Sequence, residues 1–235
     1  MVSVRPVERG RVLVAGAVLI VLTLTACVHR PPQIVPPAGA VEAVEGCGSA
    51  SIAGAEASLK GKFGFVFRRP GFGRIEAVDP VGRTAFIILF RGDRAWFVLP
   101  GRRVYAEDSA GIMMERFLGV ALLPDQAVGL LSGTWPADRE AGAGREGGSS
   151  WSVDHDDAGR LARGVRGGFS FTVREFFPGD GVPREIRLEG LGTSGRVKVL
   201  KLGFNPLPRE EVFDLAFLRT FSPKTWEEIL ELLDR

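Results

Sequence analysis

The sequence predicts a mainly β protein: a strongly curved antiparallel sheet of about ten or eleven strands, short helices covering its concave hydrophobic side, and an amphipathic helix at the C-terminus. Three observations predict it. The run from Leu59 to Phe67 alternates with a period of two. The run from Ala85 to Phe90 is apolar on both faces. Gly- and Pro-rich breaks recur at short spacing except across residues 109–131, where the apolar period lengthens to that of helices.

The chain opens with Arg5, Arg9 and Arg11, an apolar segment from Val12 to Leu24, and then Leu24-Thr25-Ala26-Cys27. A positive start, a short apolar run and small residues before a cleavage point define a secretory signal over residues 1–26. The cysteine directly after them looks like a bacterial lipobox, which makes Cys27 the lipidated first residue of the exported chain. Several acyl chains on one residue anchor stably, since each buried methylene contributes about 0.8 kcal/mol. Val28 is not the Asp that in the enterobacterial sorting rule retains a lipoprotein in the inner membrane, which favours the outer membrane with the domain facing the periplasm. That covalent lipid is the only group the chain is expected to carry.

Removing the signal removes three Arg and one Glu, a net +2 that equals the charge of the whole chain, so the exported part is near neutral. No basic patch with interleaved aromatics remains, which argues against a nucleic-acid partner. Residues 27–42 hold Pro31, Pro32, Pro36 and Pro37 among small residues and read as a disordered tether. Cys47 is left without an intramolecular partner and reads as a half-buried strand residue, with an intermolecular disulfide as the alternative.

Ordered structure is expected over 43–205 as one domain. A strand from Ala43 to Ile52 turns through Ala53-Gly54 and returns with Leu59, Gly61, Phe63, Phe65 and Phe67 on one face and Lys60, Lys62, Gly64 and Arg68 on the other. Arg69-Pro70-Gly71 turns the chain into a short strand with Ile75 and Ala77. Asp79-Pro80-Val81-Gly82 makes the next turn, with an apolar residue at its tip where a polar one is usual. Ala85 to Phe90 must be covered on both faces, one by the concave interior and the other by a helix or an acyl ligand. Strands from Ala95 to Leu99 and on to Tyr105 complete the first half.

Two short helices follow, Ser109–Leu118 capped by Asp108 or Ser109, and Pro124–Leu131 opened by Pro124-Asp125. Met113 and Met114 read as core filler, with a softened ligand cavity as the sharper alternative. Residues 137–150 read as a loop. Strands resume at Trp151–Asp154, Leu161–Val165, Phe169–Phe177, Arg184–Glu189 and Arg196–Leu202. In the segment 206–235, Ser222 reads as an N-cap with Pro223 at the first helical position, and Trp226, Ile229, Leu230 and Leu233 share one face of a helix over about 223–234. Docking on the domain's own surface is the preferred role; capping a cavity or contacting a partner are the others.

Catalysis finds no support. The exported chain retains only His29 and His155, and consecutive residues in Asp154-His155-Asp156-Asp157 point in different directions, so a polar turn is the better reading than a metal site. The pairs Glu210-Glu211 and Glu227-Glu228 read as solvated faces. Gly71-x-Gly73 and the glycines of 142–148 do not open a capped helix and read as loops. The chain is therefore expected not to be an enzyme.

In order and spacing, Asp79-Pro80-Val81-Gly82 before an apolar strand, Tyr105-Ala106-Glu107-Asp108, Phe117-Leu118-Gly119, Leu122-Leu123-Pro124, Val182-Pro183-Arg184-Glu185-Ile186 and Gly195-Arg196-Val197-Lys198-Val199 resemble the LolB family of outer-membrane lipoprotein receptors. The likeness covers most of 58–204 together with the lipobox. It implies an incomplete antiparallel β-barrel with helices as a lid over a hydrophobic cavity, which receives the acyl chains of a lipoprotein from a LolA-like periplasmic carrier and releases the cargo into the outer membrane. The family's protruding Asn-Pro-Leu-Gly loop carries a Leu needed for membrane insertion. The matching residues here are Asp79, Pro80, Val81 and Gly82, with Asp for Asn and Val for Leu.

Sixteen Phe, concentrated on strand faces, suit an acyl chain, whose ~15 methylenes carry roughly 12 kcal/mol of transfer free energy. The cavity is expected to be lined by Phe63, Phe65, Phe67, Ile75, Phe86, Ile88, Trp96, Ile112, Phe117, Phe171 and Val173. A monomeric lipid-transfer receptor thus predicts an acyl-sized cavity and an exposed Val81. The alternative is a diverged envelope lipoprotein of the same fold, with a structural or partner-binding role, which predicts a filled interior, or with a different lipid cargo.

Overall fold

The computed structural model describes residues 34–54, 58–135, 150–179 and 181–233; Cys27, the signal segment and most of the 137–150 loop lie outside them. The strands are β1 (Ala43–Ala53), β2 (Ser58–Arg68), β3 (Phe72–Val78), β4 (Thr84–Arg91), β5 (Arg94–Leu99), β6 (Val104–Ser109), β7 (Ser152–His155), β8 (Leu161–Arg166), β9 (Phe169–Phe176), β10 (Pro183–Gly190), β11 (Thr193–Phe204) and β12 (Ser222–Pro223). They form one sheet in the order β12-β6-β5-β4-β3-β2-β1-β11-β10-β9-β8-β7. Every neighbouring pair is antiparallel except β12 with β6, and the edges β7 and β12 do not pair with each other, so the barrel stays open. The helices are α1 (Ala110–Leu118), α2 (Pro124–Ser132) and α3 (Trp226–Leu233).

The inner face is built from aromatic rings laid over glycines of the next strand. Phe63 faces Gly48 and Phe65 faces Gly46 across β1–β2, Phe67 faces Gly73 across β2–β3, and Phe171 faces Gly164 across β8–β9. A methyl group on Gly73 would stand 2.7 Å from Phe67, and one on Gly164 2.3 Å from Phe171. These glycines are therefore required for the rings to lie on the sheet, where they also let it bend. Phe63, Phe65, Phe67 and Phe90 continue as a row with centroids 5.9, 6.1 and 6.5 Å apart.

Both helices of the central pair form where expected. The Ser109 hydroxyl accepts from the Ile112 N–H and Gly119 closes α1 at φ 71°; Pro124 opens α2 and the Gln126 side chain accepts from the Leu123 N–H. Met113 is buried in the core and Met114 faces the space between helices and sheet.

The outer face of β4 and β5 is covered by the chain's own C-terminal extension. Ile87, Leu89, Trp96 and Val98 pack with Leu218, flanked by Leu215, Phe217 and Phe221. Two short 3-10 helices, Glu210–Phe213 and Ala216–Thr220, lie in this extension, and the second supplies Phe217 and Leu218. Arg68 fixes the first of them: its guanidinium donates to both carboxylate oxygens of Glu210 and lies 4.7 Å over Phe72 and 5.0 Å over Phe213. The doubly apolar strand is thus satisfied without a ligand on its convex side.

Four expectations are corrected. The strand count is twelve, because Ser222–Pro223 is a strand beside β6 and not the start of a helix. The N-cap of α3 is Thr225, whose hydroxyl accepts from the Glu228 N–H while Glu228 accepts from the Thr225 N–H; Ser222 is held by Arg103, whose carbonyl accepts its N–H. The tether does not run to residue 42, since Ile34 and Val41 are buried in the core and Asn205 clamps the segment, accepting from Glu42 and Ala43 and donating to Ala40. Trp96 lies on the outer face: in the β4–β5 register Leu89 faces Trp96 and Ile88 faces Phe97, so Phe97 is the inward aromatic.

Candidate functional site

An apolar cavity of about 120 Å³ lies between the sheet and the α1–α2 pair. Phe63, Phe65 and Phe67 come from β2, Ile75 from β3, and Phe86 and Ile88 from β4. Met114, Phe117 and Leu118 come from α1, and Ala127, Leu130 and Leu131 from α2. Ala50, Ile52, Ile186, Leu188 and Val197 close the far wall. No lining side chain carries a charge, so the space can hold only an apolar group; a charged or polar ligand atom would lose its water without replacement.

Of the residues expected here, Phe63, Phe65, Phe67, Ile75, Phe86, Ile88 and Phe117 are brought together in the lining. Phe171 and Val173 are on the inner face but belong to the adjoining core, where Phe171 packs 5.5 Å from Trp135 and from Trp151. Trp96 is on the convex side. Ile112 is 45% exposed on the outer surface of α1, because its neighbours Met113 and Met114 take the buried stripe of that helix. The α2 residues and the wall from β1, β10 and β11 were missed. Ala127, Leu130 and Leu131 are ordinary apolar positions of a helix, and the wall residues are ordinary strand aliphatics that the long-range pairing of β1 with β11 and of β11 with β10 brings to the cavity.

The size of the cavity decides what it holds as it stands. It is slightly smaller than the ~150 Å³ apolar cavity that accommodates one benzene, so it takes about six carbons and not an acyl chain of ~15. A longer ligand has to extend out of this space or displace the helices that roof it. The two helices are joined by residues 119–123, and the buried Trp226 of α3 packs between the sheet and α1, 5.4 Å from Phe97 and 5.7 Å from Phe117.

The Asp79–Arg83 turn joins β3 to β4 beyond the sheet. Asp79 Oδ1 accepts from the N–H groups of Val81 at 3.0 Å and Arg83 at 2.9 Å, its Oδ2 accepts from Arg83 Nε at 2.9 Å, and Gly82 adopts φ 84° and donates to the Asp79 carbonyl. These bonds, led by the Arg83 backbone N–H, hold the Asp79 carboxyl below the usual carboxylate range. Val81 is left 74% exposed. The Asp79 carboxylate thus holds the turn while its charge is met by Arg83.

The same device recurs at Asp156-Asp157-Ala158-Gly159-Arg160 between β7 and β8, with Asp156 accepting from Ala158, Arg160 and the Arg160 guanidinium and Gly159 at φ 73°. Asp156 is thus a turn residue, as the polar-turn reading of 154–157 requires. The scaffold is structural in both places, and what distinguishes the first copy is the larger apolar side chain at its tip, Val81 where the second has Ala158. Among the described residues no three His, Cys, Asp or Glu side chains are grouped as metal ligands would be.

The described residues form an open antiparallel half-barrel roofed by a helical pair over an all-apolar cavity, and solved structures share this fold. A DUF1329 family protein from Desulfovibrio piger superposes with a TM-score of 0.53 at 15% identity, over 87% of this chain and 98% of that one. A protein domain assigned to outer-membrane lipoprotein sorting in Vibrio parahaemolyticus gives 0.51 at 13% identity, over 77% of this chain and 93% of that one. A LolA superfamily protein from Nitrosomonas europaea gives 0.45 at 13% identity, over 80% and 93%. No protein-family profile and no curated protein matches the chain.

Proposed function

We propose that this protein is a lipid-anchored periplasmic lipoprotein, held in the outer membrane through Cys27, that binds acyl chains beneath α1 and α2. In this reading it takes part in passing lipoproteins from a periplasmic carrier into that membrane, and it is a binding protein without catalytic chemistry. The observation that carries it is the cavity: seven aromatic and aliphatic side chains expected from the sequence to line it, six from strands and Phe117 from a helix, converge on one wholly apolar space under a helical pair. An acyl chain, worth roughly 12 kcal/mol to a hydrocarbon-like site, leaves a carrier only for a site of that chemistry. The exposed Val81 tip then serves as the wedge that enters the bilayer during release. The lipoprotein-sorting assignment of the Vibrio parahaemolyticus domain supports the same reading.

A second reading, a structural or partner-binding envelope lipoprotein, is favoured by one observation, the small volume of the cavity. One experiment separates the two. A purified carrier loaded with an acylated lipoprotein is mixed with this protein, and the cargo is followed by pull-down. Uptake is expected; a cargo that stays on the carrier at every concentration favours the second reading and overturns the first.

A further inference from the structure

We propose that Leu191 is a second membrane wedge, which together with the Val81 tip and a basic groove of Lys60, Lys62 and Arg196 makes this end of the sheet a docking surface for an anionic lipid bilayer. The proposal rests on the membrane-facing reading of Val81 given above and extends it to a residue outside that loop.

Chain direction places the two tips at one end of the sheet. β3 ends at Val78 and β4 returns from Thr84, while Ala53 at the end of β1 pairs with Ser194 at the start of β11, and β2 runs back from Ser58 beside it. The β3–β4 and β10–β11 turns therefore project from the same end, as does the β5–β6 turn with the exposed Arg102. Four interstrand steps separate the two hairpins in the sheet order, about 19 Å along the sheet at ~4.8 Å per step.

Leu191 sits on a two-residue turn, with Gly190 paired to Thr193 and Gly192 at φ 74°. Such tips ordinarily carry Asn, Asp or Gly. Leu191 instead is 87% exposed, a large apolar side chain held in water by a rigid hairpin. Isolated exposed leucines need no explanation, but this one shares its end of the sheet with Val81, the other apolar turn tip.

Between the tips lies a groove of about 450 Å³ lined by Ser49, Ser51, Lys60, Lys62, Arg196 and the Asp79-Pro80 corner. Asp79 is neutralised by Arg83, and Arg196 has Glu185 at 3.9 Å. Lys60 and Lys62 have no acidic partner among the described residues. Two hydrophobic points around a cationic groove match the surface of a bilayer rich in anionic headgroups: the tips enter the acyl boundary and the lysines meet phosphate.

The test uses the full chain reconstituted in vesicles of phosphatidylcholine with or without phosphatidylglycerol. Cys47→Ala removes the background thiol, and an environment-sensitive fluorophore is attached in turn through Leu191→Cys, Val81→Cys and Leu207→Cys. Leu207 is 86% exposed at the opposite end, beside Asn205 and the incoming segment Ala40–Ala43. The expected result is a blue shift at Leu191 and Val81, stronger with the anionic lipid, and none at Leu207. Lys60→Ala or Lys62→Ala should each lower the immersion constant at Leu191 about fivefold. A shift at Val81 with Leu191 still in water overturns the second wedge and leaves the proposed function standing. Shifts at neither tip overturn both. A shift at Leu207 alone means that the opposite end faces the bilayer, and overturns the docking surface. Labels on these three exposed positions leave the core untouched, so loss of fold does not confuse the outcomes.

Discussion

Trp226 stands edge-on to Phe117, with ring centroids 5.7 Å apart and planes at 77°. Phe117 belongs to the helix that roofs the cavity, and Trp226 to the last helix of the chain, so the C-terminal extension packs against the roof from within the core. Arg116 completes the contact, lying 4.7 Å over the Trp226 ring while its guanidinium pairs with Asp108 at 2.9 Å. Trp226→Ala removes the ring from a buried site and should cost about 3–5 kcal/mol in urea unfolding. Hydrogen exchange of the α1 amides should accelerate while the β1 and β11 centres change less. Equal acceleration everywhere would show that Trp226 supports the whole fold and does not hold the roof in particular.

The cavity lining gives a second prediction. Ala127 is buried at the α2 wall, and Ala127→Phe places a ring in the space. Overpacking should cost about 1–3 kcal/mol, which the fold tolerates, and the variant should lose binding of a fluorescent fatty acid while keeping its circular dichroism spectrum. Retained binding with a native spectrum would mean that apolar ligands sit elsewhere.

How far such residues can be read in advance depends on the range of the information. The Phe63-Phe65-Phe67 face was legible because alternation is local, and the Ser109 cap and Pro124 start were legible because helix ends are signalled within four residues. Trp96 was misassigned because Ala95 to Leu99 is apolar at every position, so sequence parity alone does not choose between its faces; the register with Leu89 does. The Gly46–Phe65 and Gly164–Phe171 pairs were invisible for the same reason, since each is made across strands. Ser222-Pro223 had the composition of a helix start, and pairing with β6 overrode it.

Acid should loosen the Val81 turn before it unfolds the protein. The carboxyl of Asp79 is held below its ordinary range by the Arg83 backbone N–H, then the Arg83 side chain and the Val81 N–H. A depressed carboxylate contributes order that is complete above its unfolded value of about 3.9 and lost as pH falls through the lower folded value. Amide exchange at Val81 and Arg83 should therefore rise only below about pH 4. Asp79→Asn keeps an oxygen for both N–H groups but no charge for Arg83, so the acid transition should vanish while exchange at neutral pH changes little, the pair being exposed. The matched turn at Asp156, depressed first by the Arg160 side chain, provides an internal comparison that should respond in the wild type and the variant alike.

If the proposed function holds, substitutions at the tip separate folding from delivery. Val81 touches little of its own protein, being 74% exposed, so exchanging it should move stability by less than about 0.5 kcal/mol. Val81→Leu adds one methylene, worth about 0.8 kcal/mol or close to fourfold in partitioning into a bilayer, and should speed release of cargo into liposomes by up to that factor. Val81→Glu puts a charge where the wedge enters lipid, so uptake from the carrier should persist while delivery stops. The two substitutions act in opposite directions on one step and on nothing else, which a general effect on fold or cavity would not reproduce. If both variants deliver like the wild type, the turn is a structural hairpin like the one at Asp156, and release proceeds through another part of the molecule.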